Sequence, residues 1–163
     1  MSAPAPPPRP KQLDAPWLPK VFRVTARLQS WAYRRTSGRV GGNWRLGARG
    51  LRKPVPTLLL EHTGRKSGRV FTVPLLYLVD GADLVVVASQ GGRRDDPQWY
   101  LNLCATPEAS VQVRAEVRKV LARPADAAER GRLWPRLVAL YADFDTYQAW
   151  TDREIPVVLL SPR

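Results

Sequence analysis

Residues 57–79 read TLLLEHTGRKSGRVFTVPLLYLV, a short basic segment bounded by glycines and set between two apolar runs. Runs rich in Val, Leu, Phe and Tyr that are bounded by turn residues are typical of β-strands. We therefore predict strands at Thr57–His62 and Val70–Val79, joined by a hairpin whose tip is framed by Gly64 and Gly68.

The tip of this hairpin combines several hydrogen-bond donors. Arg65 offers a guanidinium, Lys66 an ammonium and Ser67 a hydroxyl, beside backbone that the glycines leave accessible. Phosphate and carboxylate groups accept from such donors, so the tip is a candidate anion site. A solvated basic hairpin without a ligand is the alternative, and this stretch alone leaves both open.

The chain behind the hairpin also predicts mostly β-structure. Further strands are expected at Asp83–Ser89, Ala109–Val113, Val117–Ala122 and Ile155–Leu160. Pro74 predicts an edge, a bulge or a break in its own strand, because proline cannot donate to a sheet ladder. The pattern favours a mainly β domain with helices (α+β), a small and partly open barrel over residues 57–163.

Two helices are predicted between these strands. One begins at Asp96-Pro97, with Asp as the cap and Pro at the first helical position, and runs to about Ala105. The other begins with a capping-box-like Asp126. Pro135 is expected to kink this second helix or split it, because proline removes a backbone donor.

The N-terminal third differs from the rest in charge. Residues 1–56 hold 12 Lys/Arg and one acidic residue, a net charge of +11 out of +12 for the whole chain. Residues 1–19 contain seven of the 16 prolines and predict a disordered or extended segment. Residues 37–56 predict a connecting loop.

Between them, residues 20–35 predict a basic amphipathic helix. Its apolar stripe consists of Val21, Val24, Leu28 and Trp31. Such a helix can lie among anionic lipid headgroups, or its stripe can pack on the barrel or on a partner subunit. No apolar signal-peptide core is seen. We therefore expect a cytoplasmic chain, peripheral on the inner face of the membrane, and consider nucleic acid the less favoured anionic partner.

The chemistry-bearing residues exclude several classes of site. His62 is the only histidine and Cys104 the only cysteine, so neither a multi-histidine metal site nor a thiolate cluster can form. Cys104 follows apolar residues of a predicted helix and is expected to be buried. No nucleotide fingerprint or nucleophile elbow occurs. A cofactor-dependent enzyme and a binding module both fit this set.

Four stretches accompany the hairpin in a fixed order: residues 31–35 (WAYRR) with Gly41-Gly42, residues 88–92 (ASQGG), residues 97–103 (PQWYLNL) and residues 150–158 (WTDREIPVV). Together they closely resemble the deazaflavin (F-420)-dependent nitroreductase family, in its quinone-reductase-like branch. The resemblance runs from about Val21 to the C-terminus. It implies a split β-barrel of the FMN-binding split-barrel type.

The resemblance also implies an activity and a coenzyme site. The activity is hydride transfer from reduced coenzyme F-420, an 8-hydroxy-5-deazaflavin, to a quinone-like or other conjugated acceptor. The phosphate and glutamate tail of the coenzyme would meet Arg65, Lys66, Ser67 and Gly68, and its rings would meet Ser89, Gln98, Trp99, Tyr100 and Asn102. Core packing is the alternative for Trp99. Gln90 stands where some members carry a lysine, so one possible cation is missing.

The same resemblance implies an acceptor pocket lined by Tyr141, Phe144 and Tyr147, with Ser89, Tyr141 and Tyr147 as candidate catalytic donors. Phe144 replaces the middle tyrosine of the family pattern and therefore cannot hydrogen-bond an acceptor. An aromatic core stripe is the alternative for this spacing. Two other functions stay open: a non-catalytic basic adaptor that binds membrane or nucleic acid, and an FMN-binding split-barrel flavoprotein.

Overall fold

The computed structural model describes residues 5–47 and 50–163. Within these ranges the chain forms one curled antiparallel sheet with four α-helices around it. The strands are β1 (Asn43–Gly47), β2 (Gly50–Thr63), β3 (Val70–Leu76), β4 (Leu78–Asp80), β5 (Asp83–Val87), β6 (Glu108–Val113), β7 (Glu116–Pro124) and β8 (Val157–Pro162). The helices are α1 (Leu18–Arg35), α2 (Gln98–Ala105), α3 (Ala127–Leu140) and α4 (Asp143–Ala149), with one-turn 3-10 helices at Lys11–Asp14 and Gln90–Gly92. This architecture confirms the predicted α+β class.

The strand order is β1-β2-β6-β7-β8-β5-β4, with β3 paired to β2 beside this path. Alternate residues of a strand face opposite sides of a sheet, and β5 shows this clearly. Leu84 and Val86 belong to a core that also contains Trp99 of α2, whereas Val85 and Val87 belong to a second core that contains Phe144 of α4. The sheet is therefore covered by apolar packing on both faces.

The predicted hairpin is confirmed, with Thr63 paired to Val70. Pro74 lies on an edge, since β3 pairs with β2 alone within the described part of the chain. The second predicted strand breaks at Tyr77, not at Pro74.

The predicted connecting loop over residues 37–56 is wrong from residue 43 onward. β1 lies within this segment, and β2 begins at Gly50 instead of Thr57; residues 48 and 49 lie outside the described residues. The physical reason is tertiary: Trp44 pairs with Val55, which is buried in the second core, and this burial outweighs the weak strand propensity of a segment rich in Gly, Pro and Arg.

Further details differ from prediction, among them the end of β5, which lies at Val87 and not at Ser89 because the chain turns into the loop there. Pro97, not Asp96, is the N-cap of α2, because the Asp96 carboxylate forms an ion pair with Arg153 instead. Helix α3 carries the predicted capping box at Asp126, but Pro135 does not split it, since buried Leu133 and Leu137 hold both of its halves on the second core. The last strand begins at Val157, after the buried Ile155.

Helix α1 docks through the opposite face from its apolar stripe. The Tyr33 hydroxyl is buried, donates to Thr57 O (3.0 Å) and accepts from Arg114 N (2.7 Å). The stripe faces away: Val24, Leu28 and Trp31 are 63–66% exposed. Packing of this stripe on the barrel, one of the expected alternatives, is therefore not what this chain does. No helix in residues 5–47 or 50–163 is long and apolar enough to span a bilayer.

Residues 5–14, here called the N-terminal strap, pack on the barrel although the sequence predicts a disordered or extended segment. Leu13 is buried, and its carbonyl accepts a hydrogen bond from Arg93 Nη1 (2.7 Å). The Trp150 indole donates to Pro7 O (2.8 Å). Outside the 3-10 turn at Lys11–Asp14, the prolines prevent regular structure, but they leave carbonyl acceptors and apolar rings free to pack. Residues 1–4 of the predicted segment lie outside the described residues.

Candidate active site

The hairpin tip lies against helix α2. Gly64 N donates to Arg69 O (2.8 Å) and Gly68 N to Gly64 O (2.8 Å), which closes the tip. Gly68 has φ +67°, a conformation that glycine adopts without strain. Arg65 N donates to Asn102 Oδ1 (3.1 Å), so the tip is tied to α2 by its own backbone.

The Arg65 side chain also connects the hairpin tip to helix α2. Its Nη1 donates to Asn102 Oδ1 (2.9 Å) and to Gln98 Oε1 (3.0 Å). Three residues that the sequence assigned to the coenzyme, Arg65, Gln98 and Asn102, are thus brought together. The remaining donors of the tip, on Lys66 and Ser67, are exposed.

His62 is the next member of this hydrogen-bond network. Asn102 is only 4% exposed, and its Nδ2 lies 3.1 Å from His62 Nδ1. Because the Asn102 oxygen already accepts from Arg65, the amide nitrogen must donate to the ring, and the His62 proton belongs on Nε2. Burial lowers the pKa of His62 to about 4, so the ring is a neutral acceptor. Sequence reasoning gave His62 no role, although its position two residues before the tip was a usable signal.

The two aromatic residues of helix α2 differ in burial. Trp99 is buried in the first core, as the core-packing alternative expected, while Tyr100 is partly exposed at a 6.2 Å centroid distance from it. Burial raises the pKa of Tyr100 to about 12, so its phenol is protonated at neutral pH. Cys104 is exposed, and the expectation of a buried thiol is wrong because it lies one turn beyond Tyr100 on the outer side of the helix.

Ser89 begins the loop between β5 and α2. This loop packs on α4: a Cβ at Gly92 would lie 2.9 Å from the Tyr147 carbonyl oxygen, which leaves no room for a side chain. Ser89 O accepts a hydrogen bond from Arg153 Nη2 (3.0 Å). Arg153 lies within the quoted stretch 150–158, but sequence reasoning assigned it nothing, since only folding brings it to this loop.

The three aromatic residues of α3 and α4 are packed together in the second core. Tyr141 and Phe144 are each 4% exposed, with ring centroids 5.1 Å apart, and Tyr147 lies 6.2 Å from Tyr141. Tyr141 OH donates to Leu46 O (2.9 Å), so Tyr147 OH must donate to Tyr141 OH (3.2 Å). Burial raises the pKa of both phenols. This packing matches the core-stripe alternative, and the roles of these residues toward an acceptor stay predictions.

The curled sheet and the hairpin–helix site define a split-barrel protein. Residues 25–162 match the sequence model of the F-420H(2)-dependent quinone reductases. The chain belongs to the F-420H(2)-dependent quinone reductase family, a family of oxidoreductases that use reduced coenzyme F-420. This assignment confirms the resemblance drawn from the sequence motifs.

Individual relatives agree with the family. An F-420H(2)-dependent quinone reductase of Mycobacterium tuberculosis is 36% identical over 151 residues, which are 90% of this chain and 97% of that protein. A second Mycobacterium tuberculosis protein, whose name assigns it to the same group, is 56% identical over 119 residues, 73% of this chain and 99% of the relative. The solved structure of an F-420-H2 dependent reductase superposes with a TM-score of 0.61 at 37% identity, covering 65% of this chain and 94% of that one.

Proposed function

We propose that this chain is a quinone-reductase-type oxidoreductase whose hairpin tip and helix α2 hold reduced coenzyme F-420. Bound there, the deazaflavin supplies a hydride for a quinone-like or other planar conjugated acceptor. The family assignment supports this function over an FMN flavoprotein and over a non-catalytic adaptor. The protein's part is to bind, orient and hydrogen-bond.

The observation that carries the proposal is the position of Arg65. One of its guanidinium nitrogens is fixed by Gln98 and Asn102, and its backbone N–H is fixed by Asn102 as well. The rest of the guanidinium sits at an exposed tip beside Lys66 and Ser67. A strongly anionic ligand needs such preplaced donors, because an arginine that is already oriented loses less entropy on binding.

Arg65, Lys66 and Ser67 at the tip are here called the cradle. The cradle is tested by removing its two charged side chains one at a time. Arg65→Ala and Lys66→Ala are each expected to weaken coenzyme binding by roughly 1.5–3 kcal/mol, the usual worth of a hydrogen bond to a charged group. Binding is measured as fluorescence quenching of the coenzyme, with FMN titrated in parallel. Lys119→Ala, which removes an exposed lysine on β7, is the charge-matched control. Unchanged affinity in both tip variants would refute the cradle.

For the acceptor we propose Ser89 and Tyr147 as the hydrogen-bonding residues, with Tyr147 turning its single O–H from Tyr141 to the acceptor when the acceptor binds. Support comes from the contact between their elements, since the Gly92 backbone packs directly on Tyr147. Ser89 and Tyr147 are half-buried, whereas Tyr141 and Phe144 are buried behind Tyr147. A hydroxyl that donates to the acceptor oxygen stabilises the negative charge that develops there during hydride transfer. Ser89→Ala should therefore lower turnover by a larger factor than it weakens coenzyme binding.

We also propose that helix α1 places the enzyme on the inner, anionic face of the cell membrane. The stripe of Val21, Val24, Leu28 and Trp31 is turned away from the barrel, and α1 contains no acidic residue to oppose anionic headgroups. An apolar face with a basic flank is typical of helices that lie in the headgroup region.

Vesicle binding tests this location. Leu28→Glu should abolish cosedimentation with anionic liposomes, and salt should weaken binding of the unaltered chain because exposed charges are screened over about 8 Å at physiological ionic strength. Val117→Glu on β7 is the matched control, since Leu28 and Val117 are 66% and 64% exposed. Binding to duplex DNA but not to anionic liposomes would support the adaptor instead.

A further inference from the structure

Arg153 lies between α4 and β8 and reaches across to the loop that joins β5 to α2. Its Nη2 donates to Ala88 O (3.1 Å) and Ser89 O (3.0 Å), and its Nε donates to Arg93 O (3.0 Å). Its Nη1 forms an ion pair with Asp96 Oδ1 (2.8 Å). The Arg153 side chain is 15% exposed, so one largely buried guanidinium contacts four points along this loop.

The backbone that Arg153 holds is irregular. Gln90, Gly91 and Gly92 have φ values of +47°, +64° and +79°, three successive residues in a region that L side chains avoid. A non-glycine residue such as Gln90 keeps this conformation only where its surroundings impose it. Within the loop, Ser89 O accepts from Gly92 N (2.9 Å) and Gln90 O from Arg93 N (3.3 Å). Arg153 adds donors for Ala88 O and Arg93 O and a second donor for Ser89 O, so it satisfies carbonyls that lie outside the ladder of β5.

Arg153 is itself anchored by neighbours. Gln148 Nε2 donates to Arg153 O (2.7 Å), and Gln148 Oε1 accepts from Ile155 N (2.9 Å) and from Arg130 Nη2 (3.1 Å). The guanidinium therefore extends from a fixed backbone. Lysine could not replace it, because the donors of an ammonium radiate from one atom, whereas those of a guanidinium are spread over three nitrogens in a plane.

We propose that Arg153 is a positioning residue that sets residues 88–96, the ring loop, in its binding conformation before the coenzyme arrives. It would act through the loop, presenting the Ser89 hydroxyl and the Gly91-Gly92 backbone, and would touch no reacting atom itself. This inference rests on the proposed function, because that function gives the loop its ligand. Preorganisation of a loop improves affinity by removing the entropy cost of ordering it on binding.

The test uses Arg153→Lys and Arg153→Gln, with Arg123→Gln as the control because Arg123 pairs with Glu129 at the surface away from this loop. Hydrogen exchange without coenzyme reports on the loop itself. We expect amides of residues 88–96 to exchange about tenfold faster in both Arg153 variants, with exchange in β6 and β7 unchanged. Coenzyme fluorescence quenching should show a Kd about tenfold higher, with the smaller effect in Arg153→Lys.

Three results would overturn the proposal. Loop exchange equal to that of the unaltered chain would show that Arg153 does not hold the loop, and faster exchange throughout the chain would show a general structural role. Faster exchange in the loop with an unchanged Kd would show that the conformation of the loop does not affect coenzyme binding. No quenching with the unaltered chain would instead refute the proposed function, which is a distinguishable failure.

Discussion

Asn102 is the residue through which the hairpin tip and helix α2 act as one unit. Its amide oxygen accepts twice from Arg65 and its amide nitrogen donates to His62, so the oxygen and one of the two N–H groups are engaged within the protein. The resemblance placed Asn102 beside the coenzyme rings. Its burial and its partners instead fit a residue that orients Arg65, and the ligand would meet the guanidinium that Asn102 holds.

The His62 ring makes stability depend on pH. Its pKa is lowered to about 4 by burial, below the ordinary value of about 6.5, so the folded state binds this proton less readily than the unfolded state does. Above pH 6.5 the ring is neutral in both states, and the free energy of unfolding is not reduced. As pH falls from 6.5 toward 4, the unfolded state takes up the proton first, and the free energy of unfolding drops by roughly 3 kcal/mol in total. His62→Gln should remove this part of the slope in urea unfolding measured from pH 7 to 4. Parallel pH profiles for parent and variant would contradict it.

The packing around Phe144 determines how Phe144→Tyr would change stability and turnover. The ring is 4% exposed and lies 5.1 Å from that of Tyr141, so the hydroxyl of Phe144→Tyr would be buried in an apolar core. We expect a loss of about 1–3 kcal/mol, the cost of a buried polar group without a partner, and no gain in quinone turnover. Thermal unfolding and steady-state kinetics measure the two effects. Higher turnover at unchanged stability would show that position 144 lines the acceptor pocket after all.

At the scale of elements, two segments hold the ring loop from different sides. Arg153 binds its carbonyls, and the N-terminal strap covers it through Leu13 and through the Arg93 hydrogen bond to Leu13 O. The strap continues directly into α1, whose apolar stripe faces away from the barrel. The strap that covers the ring loop therefore lies next along the chain to the surface proposed for membrane contact.

The strap should contribute measurably to stability. Leu13→Ala removes most of a buried leucine side chain and should cost about 2 kcal/mol, which for a domain of this size lowers Tm by roughly 4–8 °C. Leu51→Ala is the control, because Leu51 is 85% exposed and should change Tm little. Equal Tm values for the two variants would mean that the strap is not held in solution.

At the scale of the whole molecule, charge and core are separated along the chain. Residues 1–56 carry +11 of the net charge of +12, while the remaining residues supply most of the two apolar cores on either side of the sheet. Charge located in this way can direct the enzyme to an anionic surface without disturbing the barrel, because exposed charges act through solvent and not through packing.

The sequence by itself determined the elements whose signals are local. The hairpin at 63–70 and the capping box at Asp126 follow from turn and capping chemistry within a few residues. Proline chemistry limited Pro74 to an edge, a bulge or a break, and the structure shows the edge. The motif set also determined the family and its coenzyme, because several linked stretches had to match together. The position of Arg65 at the hairpin tip could be predicted, because glycines mark that tip, and its role toward the coenzyme stays a prediction.

Only the tertiary structure decided which partners the other residues take. The first half of β2 forms because β1 pairs with it. Asp96 does not cap α2 because Arg153, 57 residues away in the chain, binds its carboxylate. The apolar stripe of α1 faces outward because Tyr33 anchors the opposite face of the helix. Each of these outcomes depends on a contact between segments far apart in the chain. Local propensity and spacing carry no information about such contacts, whose energies outweigh the local preferences.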